Sequence, residues 1–543
     1  MDTIRYTFGR RDWLLAASAL ALAPAAWAAP AASPGPKVQL SQYVTEPGAD
    51  DTDAFVAALT AAVGGTLVVP AIELTLRPVT VPSNVRIELA PGTVLKAKSG
   101  FGPNDRLLNI TNATNVTIMG NGATVQMPKA EYKEGEQRHG VFIFGSSDVQ
   151  IHDLVSRDSG GDGFYIGRSG KPGTHSRRVL LNNCRAINNR RQGLSIVSGE
   201  DIEVRGGIFE STAGTAPQYG IDIEPNNSDD VIRNVRLLGV RTRNNRGGGL
   251  LIVLQSYANR ADVSASVEVV DFTSEQDGLQ GASAGIRLAG FGGTWGKSVS
   301  GQVKIRNARI VNPGHSGIRL DRWDADRAPL VQIDDVEIVN PGSASAGAQA
   351  PEERSGLVIW ASHLGGANFG NLQASRVRVR DTRGQQLTYS PVYIYGTPGQ
   401  SGVGHATRIT LRDCVGVGLK PTSGRGHLVA ATDLDESSVE YSTEQVASDV
   451  PADDVVATRS LAGYTITQAS GAAIRLPPQA TNRGLTWSFR PAGSGAQLRL
   501  RPDPSDRLNV PVDATGDLVV RPSKQGLRVR MDPQAGLVST QER

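Results

Sequence analysis

The sequence predicts an all-β protein built as a right-handed parallel β-helix, with an N-terminal capping helix and a small C-terminal β domain. Two observations carry the solenoid. A pattern of Gly, apolar, any, apolar recurs from Gly140 to Ile143, Gly163 to Ile166, Gly193 to Ile196, Gly220 to Ile223 and Gly249 to Ile252. It continues from Gly285 to Leu288, Gly317 to Leu320 and Gly356 to Ile359, and ends with Pro391 to Ile394. A second alternating strand precedes many of these at one fixed distance: Val149, Val179, Val235, Val303 and Val377 each stand 14 residues before the strand they lead to.

Four other coils are longer by 10, 4, 4 and 11 residues, all in the same segment, and the shortest return to the next coil is 9, so a minimal coil has 23 residues. Strands this short cannot bury a face alone and must stack on neighbouring copies. The right hand follows from the bias of parallel crossovers. Alternation sends the first and third residues after each glycine inward and the second and fourth outward. Asn182, Asn188, Asn244, Asn312 and Asn340 recur near turns and read as structural ladders. The insertions at 127–139, 212–216, 275–281 and 341–354 fall on one edge, where they would wall a groove.

The remaining segments fit around this body, assigned to residues 43–440. Arg10-Arg11, the apolar run Trp13 to Ala23 and Ala26-Trp27-Ala28 read as a cleavable twin-arginine-like signal peptide over residues 1–28, which implies a periplasmic or secreted protein. Asp51 to Ala62 reads as a short helix covering the open end of the solenoid, and Gly64 to Pro70 as an entry strand. Cys184 and Cys414 occupy equivalent places about seven coils apart, ~34 Å at the ~4.8 Å strand spacing, so they are predicted to be buried free thiols. Past residue 440 the pattern stops, and Leu485 to Arg490, Gln497 to Arg501 and Gly526 to Arg530 read as strands of an accessory β domain over 455–543.

Composition narrows the function. The 62 glycines follow no three-residue period, which excludes collagen, and a formal charge of +3 over 543 residues gives no reason to expect nucleic acid as a partner. No stretch after the signal is long enough to span a bilayer, so no membrane insertion is expected after cleavage.

The chemistry concentrates on the outward positions of coils 163 to 224. Asp162, Tyr165, Arg191, Gln192, Tyr219, Asp222 and Glu224 gather there. Asp222 and Glu224 lie two residues apart on one strand, so they share a face with backbones ~6.6 Å apart. Two such carboxyls can divide acid from base or nucleophile in glycoside cleavage. Asp162 is a third catalytic candidate, ~10 Å away by stacking. Like charges would raise one pKa and keep an acid protonated near neutrality. The plainer reading makes Asp222 and Glu224 solvated strand residues paired with Arg191 or Arg246. Arg191, Gln192, Tyr219 and Tyr165 are candidate substrate contacts, and Trp323 and Trp360 candidate stacking platforms for sugar rings. Arg168, Lys171 and Arg177 are candidate contacts for a uronate or sulfate, and His139 and His175 candidate bases at the cleft edge. Asp321, Asp324 and Asp326 are the only calcium candidates; otherwise no metal or cofactor is expected.

Asp50 to Pro70 resembles the entry segment of the pectate-lyase-like right-handed β-helix superfamily, which includes polygalacturonase relatives and phage tailspikes. Asn189 to Ile196 with Gly214 to Asn226 is similar to a pattern in bacterial β-helix repeat proteins described as polysaccharide-active. The resemblance covers roughly residues 45–420 and implies the fold and a polysaccharide or oligosaccharide substrate. Locally, Tyr219-Gly220-Ile221-Asp222 resembles the Tyr-Gly-Phe-Asp of alginate epimerases, which implies a catalytic Asp222 and a proton-transferring Tyr219. The chain departs from that family at Ile223-Glu224-Pro225, where the epimerases carry Pro-His-Glu, and the polygalacturonase Gly-His-Gly and Arg-Ile-Lys motifs do not stand in register. The expectation is an exported glycoside hydrolase using paired carboxylates, with a lyase or epimerase on a uronate glycan and a non-catalytic glycan-binding surface protein as alternatives.

Overall fold

The computed structural model describes residues 35–170, 173–257, 263–281, 283–290, 297–344, 350–361, 368–396 and 404–419, and from 428 onward mainly strand segments. The expected signal peptide lies outside the described residues, as does most of the stretch leading into the expected C-terminal domain.

The body is a right-handed parallel β-helix. The Gly-led strands stack as one 12-stranded parallel sheet running from Val79–Thr80 to Leu428–Ala430, one strand per coil. The preceding alternating strands stack as a second parallel surface, for example Ser147–His152 on Ser176–Asn182 on Gly199–Arg205. The inward columns are continuous. Val141, Phe164, Leu194, Ile221, Leu250 and Ile286 are partners in successive coils, as are Ile143, Ile166, Ile196, Ile223, Ile252 and Leu288. Every one of these side chains is removed from solvent.

The glycine that opens each strand is a matter of clearance. A Cβ on Gly163 would sit 2.8 Å from the carbonyl oxygen of Gly193 and 2.6 Å from Nδ2 of Asn189. One on Gly220 would meet Cγ2 of Thr242 at 2.7 Å. The turns before these strands are built from residues in the left-handed region, among them Asn188 (φ 54°), Asn244 (φ 55°), Asn312 (φ 51°) and Asn340 (φ 56°), which asparagine tolerates. Their side chains bond across coils, Asn188 Nδ2 donating to Asp158 Oδ1 at 2.7 Å and Asn340 Nδ2 to Asn312 Oδ1 at 2.8 Å. Asn182 is the exception: it ends a strand and lies beside His152. A deeper ladder follows one residue on, where Asn189, Asn245 and Asp277 accept backbone N–H groups of Ser159, Thr212 and Asn245.

The N-terminal helix spans Thr52–Ala61 and buries Phe55, Ala58 and Leu59 against the first coil. Asp50 accepts from the backbone and hydroxyl of Thr52, while Asp51 reaches back to the backbone of Thr75, tying helix to solenoid. The solenoid begins before residue 43, because Lys37–Gln39 already pairs in parallel with Thr66–Val69, and it continues to Val439–Ser442. Further on, Thr486–Pro491 and Leu498–Arg501 pair antiparallel with Leu527–Met531 and Leu518–Val520, a pairing unlike that of the coils. Among the described residues no helix is long and apolar enough to cross a membrane.

Cys184 and Cys414 report the register independently. Each is buried and outside any disulfide, and each directs its thiol to the carbonyl two residues before it and to one in the preceding coil. Burial pushes both thiols up to about 12. The native protein is therefore expected to resist a thiol reagent at pH 8 and to release two reactive thiols on unfolding. Rapid native labelling of either cysteine would contradict this register.

Candidate functional site

The outward column of the 12-stranded sheet reads Phe142, Tyr165, Ser195, Asp222, Leu251, Arg287, Arg319, Val358 and Tyr393, partner to partner in successive coils. These residues share one line although 251 positions separate the first from the last. The line divides into an aromatic end, an acidic centre and a basic end.

At the centre Asp222 is 2% exposed. Its Oδ2 accepts a 2.7 Å bond from Nε2 of Gln192, whose Oε1 accepts from the backbone N–H of Tyr219 at 2.6 Å. The buried Oδ1 of Asp222 has no hydrogen-bond donor among the described residues. Burial raises Asp222 well above the usual carboxylate range, and the neighbouring Glu224 charge raises it further. Glu224, half-buried, is also raised by burial, against the pull of Arg191 and of its bond with Asp222. Asp222 is the proton holder and Glu224 the group that ionises first.

Arg191 joins this pair to Asp162. Its Nη1 lies 3.3 Å from Oδ2 of Asp162 and its Nε 3.2 Å from Oε2 of Glu136. Burial works against the guanidinium charge, but Asp162, Asp222, Glu136 and Glu224 outweigh it and hold Arg191 charged. Asp162 is fully buried; burial pushes it up to about 6, opposed by Arg191 and by a hydrogen bond with Ser195. Arg191 is thus in contact with Asp162 and acts on Asp222 and Glu224 through its charge, and Asp222 forms no ion pair with Arg246.

Several expected substrate contacts have other duties. Gln192 is fully buried and holds Asp222, so it positions that carboxyl. Trp323 is 1% exposed and its Nε1 donates to the carbonyl of Pro329 at 2.9 Å. That corrects its assignment as a stacking platform: the return after its strand folds the indole under the chain. Tyr219 is 3% exposed, and its hydroxyl is 2.7 Å from Oγ of Ser283. Burial raises its pKa. Tyr165 joins Phe142, Phe144 and Val197 in a small apolar cluster separate from the core. His139 stacks on Tyr165 at 4.7 Å, and its Nδ1 accepts the backbone N–H of Asp162, so the ring is neutral and unavailable as a base at that nitrogen. His175 is occupied by Glu200 and Arg177, and Arg168 by Asp230; Lys171 lies outside the described residues. Asp321 is taken up by Arg287 and Arg319, and Asp324 by backbone N–H groups of Asp326 and Arg327, so these aspartates do not converge as a calcium site.

The insertion at 127–139 reaches the centre: Glu136 meets Arg191, and the carbonyls of Lys133 and Gly135 accept from Arg190. Ser283, just past the insertion at 275–281, meets Tyr219. Glu136 and Ser195 were not named as site residues from the sequence; Ser195 is signalled by its place opposite Tyr165 in the outward column, and Glu136 by no spacing.

Residues 104–264 match the family described as right handed beta helix region. A stretch of 254 residues, 42% of this chain, is 25% identical to the uncharacterized protein YclG of Bacillus subtilis (strain 168) and spans 44% of that relative, less than half its length. Among solved structures, a tailspike protein of E. coli bacteriophage HK620 superposes with a TM-score of 0.50 at 13% identity, over 86% of this chain and 81% of that one. A family 28 exopolygalacturonase of Yersinia enterocolitica gives 0.46 at 12% identity, over 74% and 78%. At these identities the likeness is one of fold.

Asp162 makes a measurable contribution to stability. Its folded pKa is raised, so the contribution is fully present below the ordinary carboxylate range and is lost as pH rises through about 6. A rise of that size corresponds to about 3 kcal/mol. Asp162→Asn is expected to remove this part of the pH dependence, which urea unfolding between about pH 4 and 7 would measure; parallel wild-type and variant curves would contradict it.

Proposed function

We propose that the protein is a polysaccharide-active enzyme that hydrolyses glycosidic bonds with Asp222 and Glu224. The observation that carries this reading is Asp222 on the outward column with Glu224 two residues further on, two carboxyls whose burial raises both, Asp222 the further. Environments that push two carboxyl pKa values apart are what separates an acid from a base. Asp222, held by Gln192, would protonate the leaving oxygen. Glu224, the more exposed and more readily ionised member, would activate water or attack the anomeric carbon once an incoming sugar parts the pair. Arg191 and the ionised Asp162 would hold the local field steady as positive charge develops on the sugar ring. How far Glu224 swings decides between retention and inversion.

A lyase or epimerase route through Tyr219 has less support, because that hydroxyl is buried, raised in pKa and engaged by Ser283. The paired arginines and apolar run at the N-terminus support export to the periplasm or beyond as part of the same proposal; cell fractionation would test it, with cytoplasmic retention as the contrary result.

Asp222→Asn and Glu224→Gln are each expected to lower kcat on a cleaved glycan by about 10²–10⁴-fold. Activity should decline as pH rises through the raised pKa of Asp222. Reducing-end release is the assay. Undiminished cleavage by the double variant, or products absorbing in the ultraviolet as unsaturated sugars do, would overturn the hydrolase assignment.

A further inference from the structure

Beyond the acidic centre the outward column changes sign. Arg287 stands two strand spacings from Asp222 and Arg319 three, or ~10 and ~14 Å. Both guanidiniums converge on one carboxylate: Arg287 Nε lies 2.7 Å from Oδ2 of Asp321, and Arg319 Nε bonds Oδ1. Asp321 is 1% exposed, so it anchors the two arginines from beneath while the Arg287 side chain keeps 39% of its surface open. Arg319 also donates through Nη2 to the hydroxyl of Tyr395 at 2.7 Å.

A third guanidinium completes the group. Arg322, in the left-handed region at φ 47°, turns its side chain over the Trp360 ring with Cζ 5.0 Å from the centroid. Trp360 and Tyr395 lie 6.1 Å apart with planes only 9° from parallel, and Arg319 sits 5.8 Å from both rings. On the facing side Glu352 acts on Arg319 from the rim, and Glu353 is spent on His315, whose Nε2 lies 3.6 Å from its Oε1. Asp321, Tyr395 and Tyr219 accept from Arg287 and Arg319, fewer acceptors than two guanidiniums have donors. The Arg287 and Arg319 side chains keep 39% and 21% of their surface open.

We propose that Arg287, Arg319 and Arg322 with Trp360 and Tyr395 form a subsite for an anionic sugar, its acid group on the guanidiniums and its ring face on the indole. This rests on the glycan reading above and adds the substrate's class: a chain carrying carboxylate or sulfate a few residues from the bond at Asp222. Planar guanidiniums suit either anion, because each presents a fork of donors.

The test compares matched glycans by calorimetry with the purified Asp222→Asn, Glu224→Gln double variant, so that nothing is cleaved. One arm uses uronate oligosaccharides against their carboxyl-reduced forms, and the other sulfated glycans against desulfated ones. The charged member of one pair is expected to bind at least about tenfold more tightly, and the arm in which this occurs names the anion. Arg319→Gln and Arg322→Gln should erase the difference while leaving the neutral partner unaffected; Trp360→Ala should weaken both. Arg322 holds no buried carboxylate, so its variant remains informative if Arg319→Gln fails to fold. Equal binding of charged and neutral partners, discrimination that survives Arg322→Gln, or no binding by any charged glycan would overturn the proposal. If discrimination holds while the wild type cleaves nothing, the hydrolase reading falls and the subsite stands.

Discussion

Parallel hydrogen bonding between successive coils is the constraint from which the rest follows. Once Val141 is fixed opposite Phe164, and Phe164 opposite Leu194, every neighbouring position in those strands is fixed as well. A residue can be added only where the chain leaves the ladder, which is why extra length accumulates in loops such as 127–139 while Tyr165, Ser195 and Asp222 remain partners. The same constraint that packs isoleucines in a column inside the solenoid lines up carboxylates and arginines outside it.

That alignment has an energetic cost at the centre. Asp162, Asp222 and Glu224 are carried into a region where burial disfavours their charged forms, and Asp222 and Glu224 also repel each other. The compensation is specific and incomplete: Arg191 for Asp162, Gln192 for one oxygen of Asp222, and no donor for the other among the described residues. Buried groups left partly unsatisfied are expected where stability has been yielded to chemistry. The contrast lies on the second surface, where Glu203, Arg236, Glu268 and Arg306 pair across coils, each carboxylate with an arginine.

The strands were legible because period-2 alternation and glycine clearance are local consequences of stacking, and the cysteines were legible because they repeat one register position. Asp222, Glu224, Asp162 and Arg191 were legible for the same reason: they sit on or next to ladder positions. What lay off the ladder was not. Trp323 belongs to a return whose direction no periodicity fixes, and it turned inward. Gln192 and Tyr219 were placed correctly along the chain, but whether a side chain at the ladder's edge faces sugar or supports a neighbour depends on what covers it. Glu136 arrives from an insertion, and the convergence of Arg287 and Arg319 on Asp321 joins two columns that spacing treats separately.

The central claim is that burial and the neighbouring Glu224 charge keep Asp222 protonated near neutrality. Difference infrared spectroscopy across a pH titration reads this directly through the carbonyl stretch of a protonated carboxylic acid. The account predicts one such band persisting at pH 7 in the wild type and absent in Asp222→Asn. A wild-type spectrum showing only ionised carboxylates at pH 7, unchanged by that substitution, would contradict it.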